Sequence, residues 1–386
     1  MAESRRPRIL LVTRNLPPLV GGMERLNWHL ADELSRVADV QVIAPKGSKA
    51  LRPPRVDMIE VPLKPLGTFL IAATLSAVRA VRTWRPDIVL AGSGLTAFPV
   101  WIAACFGDAR TAAYVHGLDL AVDHPLYRLF WRPALRRMQC VIANSRASAD
   151  RARQLGIKES AIALVHPGVD YAATVPSQAQ VEAFRHKAGL EGQRILLSVG
   201  RLSARKGLCQ FVTHALPAIV ERHPSSVLLV VGDAPHDALR AKAQPPEAIR
   251  AAARAAGVES NVQFMGVVTD PQCLATIYRC ADVHVFPVRE LPGDPEGFGM
   301  VSVEAASFGL PTVAFATGGV GDAVRDGVSG RLVRPGDYEA FAERVSELLA
   351  ESVEIRTTAR EFASEFAWPA FGRKVIEALV LSQGAE

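Results

Sequence analysis

The sequence predicts an α/β protein built from two doubly wound, Rossmann-like domains, each with a mostly parallel sheet. Three observations lead there. Short apolar, β-branched runs alternate with longer segments of helical periodicity along the whole chain. The runs come in two sets of six, too many for one such sheet and apt for two. Between the sets, residues 167–193 carry Pro, Gly, Ser and Gln without an apolar strand, and 386 residues is an ordinary length for two domains.

In the first half, strands are expected at 9–13, 40–43, 87–91, 111–115, 141–143 and 162–165. In the second they are expected at 195–199, 227–231, 262–265, 283–286, 312–315 and 331–333. The domain limits read as 1–180 and 190–366. Residues 367–386 hold a last helix, from apolar residues at helical spacing between Trp368 and Leu381, and the sequence does not say on which domain it packs.

Hydrophobic residues at 49% and charged ones at 22% exclude a disordered chain. The five cysteines, at 105, 140, 209, 273 and 280, show no C-x-x-C and no metal-ligand spacing, and read as thiols of a reducing compartment. The apolar run that ends at Thr13 and Arg14 is too short for a signal peptide and reads as the first strand. The most apolar stretches, 69–78 and 98–106, are about half the ~18–20 residues that span a bilayer. The expectation is a cytoplasmic protein, soluble or peripheral at the inner face of the membrane. A net charge of +5 leans toward anionic partners without pointing to nucleic acid.

Three segments carry chemistry. In Pro295-Glu296-Gly297-Phe298-Gly299-Met300, a glycine turn leads into a helical pattern that contains Glu304. Such a loop exposes N–H groups at a helix N-terminus, where an anion can bind. Glu296 precedes the helix and can accept hydrogen bonds from sugar hydroxyls, and Glu304, within its first turns, can reach a ribose diol. An acid near a helix start also has a purely structural reading. The second segment, Gly200-Arg201 through Lys206-Gly207, directly follows the first strand of the second set, where ligands bind in such sheets. Two cations there suit a departing diphosphate; alone, they would read as a solvated basic loop. The third, Gly21-Gly22 after the first strand, lets backbone approach a ligand closely.

Together these segments resemble the family-4 retaining glycosyltransferases (glycosyltransferase group 1). Their landmarks are a Gly-Gly loop, G-R-x-x-x-x-K-G and Glu-x7-Glu, in that order. The resemblance covers nearly the whole chain and is tightest over 195–335. It implies the GT-B fold, two domains facing a cleft, with a nucleotide-sugar donor in the second. By the resemblance, Arg201 and Lys206 hold the donor diphosphate, Glu304 the ribose and Glu296 the sugar hydroxyls. The amides of Phe298, Gly299 and Met300 meet sugar and phosphate, Gly22 approaches the phosphates, and the base sits near Val267. His116 reaches the transferred sugar, and Asp119 is a weaker candidate for the acceptor. His116, Arg201, Lys206 and Glu296 are the expected catalytic group. The implied chemistry is a front-face displacement without a protein nucleophile, in which the leaving phosphate helps deprotonate the acceptor.

No D-x-D is present, so neither a metal nor another cofactor is expected. Gly92-Ser93-Gly94 with Ala97 matches a dinucleotide fingerprint, but it comes after a middle strand and lacks the acid that should end the next one. The segment 128–137 places Arg128, Arg132 and Arg136 every four residues among Phe130, Trp131 and Leu135. It can be an anionic-membrane surface or an ordinary solvated helix. The expected reaction is transfer of a hexose from a UDP- or GDP-sugar to a lipid-linked or glycan acceptor of the cell envelope. The alternatives are a nucleotide-sugar 2-epimerase and a catalytically silent nucleotide-sugar-binding protein.

Overall fold

Every expected run is a strand in the computed structural model, which describes residues 5–171, 175–234, 243–350 and 354–381. β1 (Arg8–Val12), β2 (Asp39–Pro45), β3 (Val56–Val61), β4 (Ile88–Ala91), β5 (Arg110–Val115), β6 (Cys140–Ala143) and β7 (Ile162–Leu164) form one sheet in the order β3-β2-β1-β4-β5-β6-β7. β8 (Arg194–Val199), β9 (Ser226–Val231), β10 (Val262–Gly266), β11 (Val283–Phe286), β12 (Thr312–Phe315) and β13 (Gly330–Val333) form the other, in the order β10-β9-β8-β11-β12-β13. All neighbouring pairs are parallel.

Parallel sheets covered by helices on both faces bury whole strands, which is why these read as continuous apolar runs. Along β8 and β9, Leu196, Leu228 and Val230 enter one core while Ile195, Leu197, Val227 and Leu229 enter the core on the opposite face. β3 was not expected. It is an edge strand whose Asp57 and Glu60 are exposed, so the apolar run is broken.

The helix Leu66–Thr83 is longer than its apolar stretch indicated. Among the described residues it is the one helix long and apolar enough to cross a membrane by length and composition. It carries Arg79 and Arg82, and it packs Phe69, Ala73, Ala77, Ala80 and Val81 into the core of the first sheet.

The chain divides into two compact units, Met1–Gly168 with Trp368–Glu386, and Val169–Ala367. The change-over thus falls at Val169 rather than at 180. The Val169 N–H donates to the Phe366 carbonyl at 2.8 Å, and Val169 bridges Ala367. The helix Gln178–Ala188 places Val181 beside Leu190 and Ile195 in a core of the second unit. The helix Trp368–Leu381 belongs to the first unit. Trp368 stacks on His29 at 3.9 Å, Phe371 meets Tyr114 at 6.0 Å, and the Leu379 carbonyl accepts from Arg110 at 3.0 Å.

In both sheets the strand order reverses beside the first strand, between β1 and β4 and between β8 and β11. Loops leaving neighbouring strands at such a point turn opposite ways and open a crevice at the strands' carboxyl ends. Gly22 follows β1, Arg201 and Lys206 follow β8, and Glu296 follows β11 at these points, while His116 and Asp119 follow β5 and Val267 follows β10.

Candidate functional site

In the second unit the loops after β8 and β11 meet. Lys206 Nζ donates to Glu296 Oε2 at 2.8 Å, and Arg205 Nη1 donates to the same oxygen. Arg205 Nε also lies 3.2 Å from Asp294 Oδ1. These side chains are largely withdrawn from solvent: Arg205 is 15% exposed, Lys206 17% and Glu296 11%. Lys206 Nζ sits 4.4 Å above the centre of the Phe286 ring, a cation–π contact. With Gly200, Arg201 and Pro287, Lys206 and Phe286 line a small cleft.

Close backbone approach holds this arrangement. The Arg205 carbonyl accepts from Arg289 N–H at 2.8 Å, which ties the two loops together. Gly207 has φ +72°, and a Cβ there would stand 2.1 Å from the Pro287 carbonyl oxygen. A Cβ on Gly232, at the end of β9, would be 2.0 Å from the Gly200 carbonyl oxygen. Only glycine fits at these crossings.

Burial alone would raise the Glu296 carboxyl. Arg205, Lys206 and Arg201 outweigh it and pull the group down to about 2. Burial pushes the Lys206 ammonium below its usual range, opposed by Glu296 and helped by Arg205 and Arg201. Beneath, on β11, the fully buried His284 hydrogen-bonds Thr312 Oγ1 through Nδ1 at 3.0 Å. Burial, then the Lys206 charge, holds it down at about 3, so it stays neutral.

Gly299 starts the helix Met300–Ser307 at φ +98°, a left-handed conformation suited to glycine, and a Cβ would touch the Phe286 ring at 2.9 Å. Phe298 is buried against Phe366, ring centres 5.8 Å apart, so its side chain is structural and only its backbone can serve a ligand. Glu304, half-buried, accepts from Tyr278 Oη at 3.3 Å. Val267 follows β10 and is 61% exposed. Arg201 is exposed at the end of β8.

Sequence reading missed Arg205 and a second support of Glu296. The loop after β12, Thr317-Gly318-Gly319, lies under the Glu296 loop. Gly319 N–H donates to the Glu296 carbonyl at 3.0 Å, and a Cβ on Gly319 would be 2.0 Å from the Gly297 carbonyl oxygen. A glycine pair separated from an expected strand by two residues was the available signal.

The first unit places His116, Asp119 and Gly22 at the carboxyl edge of its sheet. His116 directly follows β5 and is buried, with Nε2 lacking a hydrogen-bond partner. Burial lowers its pKa more than Asp119, the Gly92 backbone and Glu24 raise it, so the neutral ring is favoured. Asp119 is committed to backbone. Its Oδ2 accepts from both His116 N–H and Gly94 N–H at 2.9 Å. The carboxylate therefore sits at the start of the helix Gly94–Ala104, where a dinucleotide site would hold a phosphate. The fingerprint glycines serve packing instead: a Cβ on Gly92 would meet Asn27 Oδ1 at 2.2 Å, and one on Gly94 the Asp119 Cβ at 2.6 Å. Gly22 opens the helix Gly22–Ser35 behind an extended Gly21, where a Cβ would strike Glu24 Oε2 at 2.3 Å.

The basic segment, with Arg128, Arg132 and Arg136 four residues apart, does not form one regular helix face. Residues Tyr127–Trp131 form a π-helical turn closed by Arg132 N–H on the Tyr127 carbonyl, and Arg132–Arg136 then forms an α-turn. Pro133 has no N–H to continue an α-ladder there. The wider turn points Arg132 into the fold, toward the Val122 carbonyl at 3.2 Å, and leaves Leu126, Arg128, Leu129 and Phe130 exposed.

Two family models match, "Glycosyltransferase Family 4" over residues 20–173 and "Glycosyl transferases group 1" over residues 193–351. A D-inositol 3-phosphate glycosyltransferase of Mycolicibacterium smegmatis is 31% identical, with 78% of this chain and 70% of that protein aligned. A GDP-mannose-dependent alpha-(1-6)-phosphatidylinositol monomannoside mannosyltransferase of the same organism is 28% identical over 89% of each chain. Among solved structures, Anabaena HepE in complex with UDP superposes with a TM-score of 0.77 at 22% identity, covering 97% of this chain and 99% of that one. With its two parallel, doubly wound sheets, the chain belongs to the family-4, group 1 glycosyltransferases of the GT-B fold.

Proposed function

We propose that this glycosyltransferase moves a hexose from a UDP- or GDP-sugar to a lipid-linked or glycan acceptor of the cell envelope, with retention of anomeric configuration. The observation that carries the reading is the meeting of Lys206 and Glu296 at the reversal point of the second sheet, a buried cation and a buried carboxylate on adjoining loops. A diphosphate needs the first and sugar hydroxyls the second. Relatives support the donor class: the mannosyltransferase is named for GDP-mannose, and HepE was crystallised with UDP.

In this reading Arg201 and Lys206 take the diphosphate, Glu296 the hydroxyls of the sugar and Glu304 the ribose. Phe298, Gly299 and Met300 contribute amides, and the backbone near Val267 lies along the base. In the first unit, the backbone of Gly22 and the neutral His116 are the groups proposed to serve the substrates. Asp119 acts by fixing the His116 turn. As the glycosidic bond breaks, charge grows on the leaving diphosphate, and fixed cations stabilise it without a metal. The leaving phosphate takes the acceptor proton. The exposed Leu126, Leu129 and Phe130 beside Arg128, Arg136 and Arg137 are proposed to bring the protein to anionic lipid at the cytoplasmic face of the membrane.

A transfer assay tests the reading: labelled UDP- and GDP-sugars, lipid extract and oligosaccharides as acceptors, excess EDTA throughout. Product should form, with the anomeric carbon in the donor's configuration by NMR. Inverted product would contradict retention, and activity lost in EDTA but restored by Mg²⁺ or Mn²⁺ would contradict cation-only departure.

A further inference from the structure

Three basic residues lie on the loop after β8, and only two of them find a task in the reading above. Arg205 is the third. It is 15% exposed, so it is not a solvated loop residue, and its guanidinium spans two acids of the facing loop: Nη1 to Glu296 Oε2 and Nε toward Asp294 Oδ1 at 3.2 Å. Its carbonyl is also fixed, by Arg289 N–H at 2.8 Å. Among the described residues Lys206 has one acidic partner, Glu296, on an oxygen it shares with Arg205.

That sharing has a consequence when a dianionic diphosphate enters. Lys206, on a flexible stem, can turn to the phosphates. Arg205 lies against Asp294 as well as Glu296, so turning away would abandon Asp294, whereas Lys206 leaves a carboxylate that Arg205 still pairs, and an uncompensated, partly buried charge is costly. We propose that Arg205 is a positioning residue that keeps the Glu296 carboxylate in place and charged while Lys206 changes partner from Glu296 to the donor diphosphate. Glu296 then remains an acceptor for sugar hydroxyls in the loaded site instead of taking up a proton. The inference rests on the proposed roles of Lys206 and Glu296.

The charged and titratable groups around Glu296 are Arg205 and Lys206 from the loop after β8, Arg201 from the end of β8, Asp294 on its own loop through Arg205, and neutral His284 below Lys206 on β11. Arg205 heads the cations that hold the Glu296 carboxyl down to about 2. An acid whose native value is depressed keeps its charge-dependent contribution above its ordinary value of 4.5 and loses it as pH falls toward the native one. Without Arg205, that loss should begin at higher pH.

The experiment compares wild type, Arg205→Gln and Arg205→Lys in two ways. Steady-state kinetics with the nucleotide-sugar donor are measured across pH, and the affinity for the bare nucleoside diphosphate (UDP or GDP, whichever the wild type binds) is measured by calorimetry. Arg205→Gln should raise the donor KM about tenfold, change bare-diphosphate affinity less than about twofold, and move the acid limb of kcat/KM up by about one pH unit or more. Arg205→Lys should recover most of the KM and part of the limb. An unchanged KM and acid limb in Arg205→Gln would overturn the proposal. So would equal losses of sugar-donor and bare-diphosphate affinity, which would put Arg205 on the phosphates. If Arg205→Gln does not fold, as circular dichroism would report, the same two measurements on Arg205→Lys decide: a limb and KM identical to wild type overturn it, an intermediate shift supports it. Failure of the functional reading looks different, because the wild type itself would then bind no nucleoside diphosphate sugar.

Discussion

At the scale of residues, Lys206 and Glu296 stand 90 positions apart, and the sequence marks each within its own motif. What it does not show is that Lys206 donates to a Glu296 oxygen, because that contact comes from the order of β8 and β11 in the sheet. Arg205 was invisible for a related reason: one more cation in a basic loop looks solvated until its two acidic partners are in place. Asp119 is the converse, an acid beside a candidate histidine that turns out to bind two backbone N–H groups. Lys206→Ala should lower kcat by about 10²–10³, the ordinary effect of removing one preorganised charge from a transition state, and should weaken donor affinity far less. Steady-state kinetics with calorimetry check this; more than half of wild-type kcat remaining would take Lys206 out of the mechanism. Gly319→Ala should damage the site from below. Its Cβ would meet a backbone oxygen at 2.0 Å, with no flexible side chain to give way, so the Glu296 loop must shift. Donor affinity should drop, and the melting temperature should fall by several degrees.

At the scale of elements, periodicity located the strands buried on both faces and missed β3, whose edge position lets Asp57 and Glu60 interrupt the run. The basic segment shows the limit of spacing arguments: four-residue intervals imply one helix face only while the helix is α, and Pro133 ends that condition. Exposed apolar residues on the turn give the membrane proposal a sharper test than arginine spacing does. Binding to anionic vesicles should exceed binding to neutral ones and weaken with salt, each arginine near the surface contributing ~1 kcal/mol. Leu129→Ser with Phe130→Ser should reduce it further, read by sedimentation; equal binding to both vesicle types would leave an ordinary solvated surface. The closing helix was legible as a helix but not in its destination, since its apolar stripe suits any core. Phe371 is buried at 2% exposure beside Tyr114, so Phe371→Ala should cost the first unit about 3–5 kcal/mol, measured by denaturant unfolding. A cost below about 1 kcal/mol would mean the helix is not seated there.

At the scale of the whole molecule, the alternation of strand and helix and the break near 167–193 predicted two doubly wound sheets, and two are found. Where the chain passes between units is less legible: Val169 and Ala367 pair across nearly 200 residues of sequence, a contact without a local signal. The glycosyltransferase class was readable because its motifs rest on backbone geometry and charge at strand ends. Donor identity was not, because in the proposed site the amides near Val267, Gly299 and Met300 would contact a ligand in the same way whatever side chains they carry. The central claim is that the crevice at the end of β8 binds a nucleoside diphosphate sugar through Lys206. A thermal-shift screen of UDP-, GDP- and ADP-sugars on wild type and Lys206→Ala tests it most directly, since a ligand of the native state alone stabilises it by about 2.7 kcal/mol at a hundred times its Kd. The account predicts that a UDP- or GDP-sugar raises the wild-type melting temperature by several degrees and that the same concentration moves the variant less. No shift with any of these donors, or equal shifts in both proteins, would contradict it.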